Sequence, residues 1–387
     1  MQVAETCFWV GIAWLGYVYI GYPICLYLLG LRRVSASAEE SDFHPRVSVL
    51  ISARNEEQDI EWKIRETLNW DYPKDRLQVL VASDASEDRT DEIVRSISDP
   101  RVVFIRMERR GGKNIALNQL TALATGELLL FTDANAHVSS SSFRPLVRHF
   151  FAKEVGCVTG WEQNIEAKRV LSSAGRTSLG YEAFMNTLES KLGSVLVCDG
   201  SLFCIRRSLY RQLQPDLAND LELPLWIGHY GFKILYEPGA RSIEEPTSSV
   251  QEEFQRRRRI CGQGALGMWR LRGYLHGLRR WQFISRKFLR WLSLLPITLI
   301  VTSSIFLSHT PIFQIVVASE LGFGVFCLIG WIASVTGGNI PRVVALPFYF
   351  LLINVAALVG VSEACLGRRF SVWDIPSLSR GHGPTTA

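Results

Sequence analysis

The sequence predicts an α/β fold, a doubly wound and mostly parallel sheet, with membrane-spanning helices before and after it in the chain. Three observations predict it. From Arg46 onward, short apolar runs rich in β-branched residues alternate with stretches of helical period. Polar turns follow those runs, as they do at the carboxyl ends of parallel strands. Long uncharged apolar runs stand at both ends of the chain. Its 387 residues suffice for one or two domains with a real core. Lys and Arg number 42 against 37 Asp and Glu, so the net charge is only +5. A nucleic-acid binder concentrates positive charge far more strongly, so no nucleic-acid partner is expected.

The first element is the uncharged run 8–31, longer than the ~20 residues that a membrane span needs. It ends at Arg32 and Arg33. A cleaved signal peptide carries its positive charge before a shorter apolar core. The expectation is therefore an anchor with the N-terminus outside and the next domain in the cytosol. Three more apolar runs cover 291–307, 312–335 and 343–366, with Glu320 and Glu363 as their only charges. Just before them Trp269, Tyr274, Trp281 and Trp291 mix with Arg279, Arg280, Arg286, Lys287 and Arg290. Aromatic and basic residues together suit a membrane interface, so 275–290 is expected partly in the headgroup layer, with membrane lipid as a partner. One span before and three after would leave Arg368 and Arg369 outside, against their preference. Either one run is re-entrant or interfacial, or the tail is external. The chain then divides into an anchor (1–33), a soluble domain (45–267), an interfacial segment (268–290), membrane helices (291–366) and a tail (367–387), an integral protein of the plasma membrane. None of the eight cysteines has metal-ligand spacing, so they read as reduced structural thiols.

Within the soluble domain the pattern predicts strands at 47–53, 77–83, 102–107 and 126–133. Helices fall at 56–70, where Ile60, Ile64 and Leu68 share a face, and at 89–97 and 114–124. The turns that follow place Asp84 at one strand end and Asp133 with Asn135 at another. Lys113 stands behind Gly111 and Gly112 at a helix N-terminus. Each has an ordinary use as a cap, turn or surface charge; their convergence on one crevice favours a site. There is no G-x-G-x-x-G after the first strand and no G-x-x-x-x-G-K-[ST]. The chemistry that fits is phosphate with a hard divalent cation, Mg²⁺ or Mn²⁺. Asp133 and Asn135 offer oxygen ligands, and Lys113 adds positive charge where anions are already favoured.

In this order stand "VSVLISARNEE", "SDASEDRT", "GGKNIALN", "FTDAN", "DGSLFCIRRSLY", "NDLELPLW", "YEPGA" and "QRRRRI". This set resembles the membrane-bound family-2 glycosyltransferases, the group of the cellulose, chitin and hyaluronan synthases, over 45–267 and the flanking spans. The resemblance implies a GT-A fold and an inverting transfer of a hexosyl or N-acetylhexosaminyl group. The donor would be a nucleotide-diphospho-sugar, taken as a UDP-sugar, and the acceptor a saccharide or lipid-linked molecule. It implies that Ala53 and Glu56 belong to the nucleotide-side loop, that Asp84 contacts the base, and that Asp133 opens the D-x-D metal motif. Asn135 replaces the second acid there, and His137 is a possible helper. Asp220 matches the general base that takes the acceptor's proton, with Glu222 as runner-up. Gly200 permits close approach of the acceptor, with Asp199 beside it, and Trp226 either lines the acceptor path or belongs to the core. Asn135 also keeps open a membrane sensor or scaffold that binds nucleotide-sugar without turnover; Asp220 argues against it.

The arginine run closes the motif set. On a helix over 250–262, Glu252 and Glu253 stand four residues before Arg256 and Arg257, the favourable order for ion pairs. Arg258 and Arg259 have Phe254 and Gln255 at that spacing instead. Gln255, Arg258 and Arg259 share a face and are expected to hold the donor's diphosphate. The family pattern is Q-x-x-R-W. Either Arg258 fills its arginine position or, with a one-residue shift, Arg259 does. In both registers the tryptophan is missing, which tells against processive polymer synthesis.

Overall fold

A computed structural model describes residues 1–31, 43–164, 170–244, 249–336 and 340–370. Arg32, Arg33 and the tail beyond Phe370 lie outside the described residues. Seven strands form one sheet in the order β3-β2-β1-β4-β6-β5-β7. Strands β1 (Val47–Ala53), β2 (Leu77–Ser83), β3 (Val102–Arg106) and β4 (Leu128–Asp133) are mutually parallel. Strand β6 (Leu202–Arg206) runs antiparallel to β4 and to β5 (Val155–Asn164), and β7 (Lys233–Glu244) returns parallel to β5. The bounds expected for β1 and β2 coincide with those observed. The first predicted helix shortens to α2 (Ile60–Leu68), because 56–59 form the turn that leads into it.

Every residue of β1 is buried. The reason is visible in the two cores. Val49 and Ile51 face one layer with Ile60, Ile64 and Phe143. Leu50 faces the other with Ala116, Leu120 and Leu223. A strand covered on both faces reads as a continuous apolar run. Helices α2, α3 (Thr90–Ser96) and α5 (Ser140–Arg148) pack on the first layer, and α4 (Lys113–Leu123) and α7 (Asn219–His229) on the second. All eight cysteines are free thiols.

Helices α1 (Gln2–Gly30), α11 (Pro311–Val335) and α12 (Arg342–Cys365) are long and apolar enough to cross a membrane. Helices α9 (Gly277–Trp291) and α10 (Leu294–Phe306) pass that test only as a pair, and they are bent by 54°. The apolar run 291–307 thus supplies the second arm of a bent element, a broken span or a re-entrant loop.

Part of the basic cluster in 275–290 faces the soluble domain. Arg286 is 3% exposed and donates to Glu189 and Glu182, each at 2.6 Å, and to Asn186 at 2.8 Å. Arg290 also donates to Glu182, and Lys287 lies 3.7 Å from it. These acids belong to α6 (Val170–Lys191) of the soluble domain. The basic residues therefore dock the bent element onto the domain, since a buried guanidinium needs a carboxylate partner. Arg280 remains exposed.

Candidate active site

The crevice is built from the loops at the carboxyl ends of β1, β2 and β4. Asn55 (φ +52°) and Ala85 (φ +53°) both adopt the left-handed region, which costs a non-glycine residue on the order of 1–3 kcal/mol. The neighbouring loops hold each other there. Arg54 donates through Nη1 to the carbonyls of Asp84 (2.8 Å) and Ala85 (2.9 Å), and the Asn55 N–H donates to Ser86 Oγ at 3.1 Å. Ala53 is fully buried, and its carbonyl accepts from the Asp84 N–H at 2.9 Å. Glu56, also buried, donates its N–H to Thr90 Oγ1 at 2.8 Å.

Asp84 ties its loop to the turn before α4. Its fully buried carboxylate accepts from the Gly111 N–H (2.7 Å) and the Gly112 N–H (2.9 Å). Both of its oxygens hold the turn that starts α4. Gly112 (φ +87°) makes that turn possible, and Lys113 emerges from it at the first helical position.

Four residues singled out in the sequence meet at the end of that turn. Lys113 Nζ donates to Asp133 Oδ1 at 2.5 Å and to the Gly200 carbonyl at 3.3 Å. A Cβ on Gly200 would stand 3.2 Å from Asp220 Oδ2. Asp220 opens α7, its side chain half-buried. Burial raises its pKa, the Asp133 carboxylate adds to the rise, and Lys113 opposes it. Glu222, the other candidate base, is fully buried; it accepts the Gln214 N–H at 3.1 Å and lies 3.7 Å from Arg211. Asp199 accepts from Ser201 and from the Glu162 N–H, which orders the loop before β6.

The arginines sit on α8 (Val250–Arg270), and they divide differently from the sequence expectation. Arg257 pairs with Glu253 at 2.8 Å, as the spacing predicts. Arg256 pairs instead with Glu162 of β5 at 2.6 Å. Arg258 is paired within the chain. Its Nε donates to Glu363 Oε2 at 2.6 Å, its Nη2 to Glu363 Oε1, and its Nη1 to Gln255 Oε1 at 2.8 Å. The cause is the packing of α12 along α8. Gly360 lets the Arg258 carbonyl come so near that a Cβ would meet it at 2.1 Å, and Glu363 follows one turn later. Gln255 is drawn away with Arg258. Arg259 alone of the four makes no hydrogen bond or ion pair among the described residues. Burial and Arg256 lower its pKa, and the charges of Asp133 and Asp220 raise it.

Asn135 is exposed on the turn after β4. The His137 ring packs on Trp62 at 3.4 Å between centroids, and burial, with Lys63, lowers its pKa to about 4. Trp226 packs against Tyr230, Tyr274 and Arg211. Among the described residues no three His, Cys, Asp or Glu side chains cluster to hold a metal ion.

Two neighbours escaped the sequence reading. Lys63 is fully buried and donates to Thr132 Oγ1 at 2.9 Å and to the Ala136 carbonyl, propping the Asp133 turn from below. A lysine on the same helical face as Ile60 and Ile64 was the available signal. Glu244 arrives through a two-residue bridge, in which His137 and Ile243 exchange N–H···O bonds of 2.9 Å. Burial, then the Glu162 and Asp133 charges, raise its pKa well above the usual carboxylate range. No local motif marks it, because its position depends on that long-range bridge.

Comparison with known proteins bears on this arrangement. The model of the family "Glycosyltransferase like family 2" matches residues 44–262, more than half of the chain. A probable glycosyltransferase, YdaM, of Bacillus subtilis is 29% identical over 245 residues, which is 60% of this chain and 58% of the relative. A beta-monoglucosyldiacylglycerol synthase of Trichormus variabilis is 26% identical over 251 residues, 62% of this chain and 51% of the relative. The chain thus spans between half and three-fifths of the length of these relatives. A solved mannosyltransferase of Pyrobaculum calidifontis, in complex with GDP-Man and Mn²⁺, superposes with a TM-score of 0.68 at 20% identity, covering 91% of this chain and 99% of that one. Its likeness shows the fold, the GT-A arrangement.

Proposed function

This chain belongs to the family Glycosyltransferase like family 2, and from that premise we propose that it moves a sugar from a nucleotide-diphospho-sugar to a lipid or lipid-linked hydroxyl, with inversion at the anomeric carbon. One observation carries the reading. Lys113, Asp133, Gly200 and Asp220, far apart in sequence, meet at the carboxyl ends of the strands, and Arg259 lies within the field of the two acids.

Each residue then has a task. Lys113 and Arg259 hold the donor's diphosphate, one from the N-terminus of α4 and the other from α8. Asp220 accepts the acceptor hydroxyl's proton as that oxygen attacks, opposite the departing diphosphate. Its burial raises its basicity, and the Lys113 charge opposes that rise. The absence of a Cβ at Gly200 leaves room for the acceptor oxygen beside Asp220.

Asp133 and Asn135 would be the oxygen ligands for Mg²⁺ or Mn²⁺. Such ions take few protein ligands and fill their shell with phosphate and water, so one carboxylate and one amide fit that donor set. When bound, the ion would neutralise charge building on the leaving diphosphate. A lipid acceptor is favoured over a polymer because the tryptophan is missing in either register, its position falling on Arg259 or Ile260, and because apolar helices adjoin the domain. UDP-sugars stand first among the donors to test, and the soluble domain is placed on the cytosolic side.

The test is a screen of radiolabelled UDP- and GDP-sugars against membranes containing the chain, with lipid and polymer fractions extracted separately. Label in a chloroform-soluble product, lost in Asp220→Asn, is the expected result. A high-polymer product would overturn the acceptor assignment. Donor binding with no turnover under any condition would favour a non-catalytic sensor.

A further inference from the structure

At the opposite end of α7 from Asp220 lies a cavity of about 370 Å³ that the proposed transfer does not use. Its walls come from the end of α7, the start of β7, the turn after α6 and the segment entering α9. The volume is at the small end of the range for ligand sites.

The wall carries Arg279, Lys233, His229 and His276, with Tyr274, and no carboxylate. Arg279 is the unusual member. Its Nη2 donates to the Phe232 carbonyl at 3.2 Å, but its Nη1 is buried and has no hydrogen-bond partner. Its seat depends on a glycine, since a Cβ on Gly228 would lie 1.1 Å from Nη1. No acid pairs with this guanidinium among the described residues. Lys233 stands at the rim, half exposed, 3.3 Å from Glu154. Arg286, seven residues on, shows the contrast: it has two carboxylates. A cation withdrawn from water without a counter-charge is costly, and a bound anion removes that cost.

The cavity also adjoins the apolar helices. Trp281, two residues after Arg279, donates through Nε1 to Tyr17 of α1 at 2.9 Å. Trp269 (67% exposed) and Tyr230 (57% exposed) stand near the same segment, as aromatic residues do at headgroup level.

We propose that this cavity, seated on Arg279, binds a phosphate-bearing ligand. That phosphate has two sources, an anionic phospholipid headgroup or a free phosphate compound. The site is separate from the donor crevice, so it stands or falls independently of the proposed transfer.

The test uses the full chain in nanodiscs of phosphatidylcholine with and without fluorescent phosphatidylglycerol, with inorganic phosphate as competitor. Wild type is expected to hold phosphatidylglycerol, and Arg279→Gln to weaken it about tenfold or more. Arg280→Gln, on the exposed neighbour, is expected to change it less than about twofold. Should Arg279→Gln fail to fold, Lys233→Gln at the rim is expected to weaken binding about threefold. Competition by inorganic phosphate, sensitive to the same variants, would identify a free phosphate compound as the natural class. Retention of the lipid against phosphate would identify the headgroup. Equal losses in Arg279→Gln and Arg280→Gln would reduce the effect to general surface charge and overturn the proposal. So would no preference over phosphatidylcholine together with no effect of phosphate.

Discussion

Asp220 concentrates the residue-scale argument. A carboxylate within contact of Gly200 and in the field of both Lys113 and Asp133 is placed to act, whereas Glu222, two residues away, is enclosed by Gln214 and Arg211. Asp220→Asn is expected to lower kcat by roughly a hundredfold to ten-thousandfold, leaving donor binding intact, as isothermal titration would show. A base works deprotonated, so activity falls as pH falls. Because burial raises the pKa of Asp220, the acid limb of kcat is expected above the ordinary carboxylate value of about 4. A limb at that ordinary value would remove Asp220 from the role. Gly200→Ala puts a methyl 3.2 Å from Asp220 Oδ2, and a tenfold to hundredfold loss is the rough expectation. Asp84, by contrast, accepts two backbone N–H groups of the turn before α4, a contact that sequence spacing did not reveal.

Helix α8 shows what an element does with four adjacent arginines. The helical period put Arg258 and Arg259 together as the unpaired pair. The packing of α12 then removed Arg258, because Gly360 admits α8 closely enough for Glu363 to reach it. Arg259→Gln is therefore expected to raise the donor KM by about tenfold or more, while Arg258→Gln leaves that KM within about twofold and lowers the thermal midpoint instead. The reverse pattern in steady-state kinetics would restore the sequence expectation. Glu253 on the same helix gives a stability test. Burial alone would raise its pKa, but Arg257, Arg256 and the hydrogen bonds from Arg257 and Tyr349 outweigh burial and hold it down to about 2. A depressed carboxylate contributes stability that is present above its unfolded value of about 4.3 and lost as pH falls toward about 2. The thermal midpoint is expected to drop across that window in wild type and to change less in Glu253→Gln.

For the whole molecule, the bent element α9–α10 is joined to the soluble domain by Arg286, Arg290 and Lys287 on Glu182 and Glu189. Domain and apolar helices thus form one connected body around that junction. Membranes washed at alkaline pH are expected to retain the full chain, because α1, α11 and α12 have the length and hydropathy to span. Release of the protein by the wash would show that these helices only lie on the surface. Neutralising Glu182 to Gln leaves Arg290 and Lys287 without their carboxylate and Arg286 with Glu189 alone, and a loss of roughly 3–5 kcal/mol is expected, read as a lower midpoint in detergent.

By itself the sequence determined the parallel half of the sheet, the apolar helices and most crevice residues. These depend on local period, on buried strands and on polar turns that follow them, and such signals span only a few residues. Tertiary structure decided the rest. The antiparallel β6, the arrival of Glu244 across the His137–Ile243 bridge and the capture of Arg258 by Glu363 all join segments far apart in the chain. A charge's partner depends on which elements pack together. That is why the pattern of four arginines could place them on one helix but could not say which one remains open to an anion.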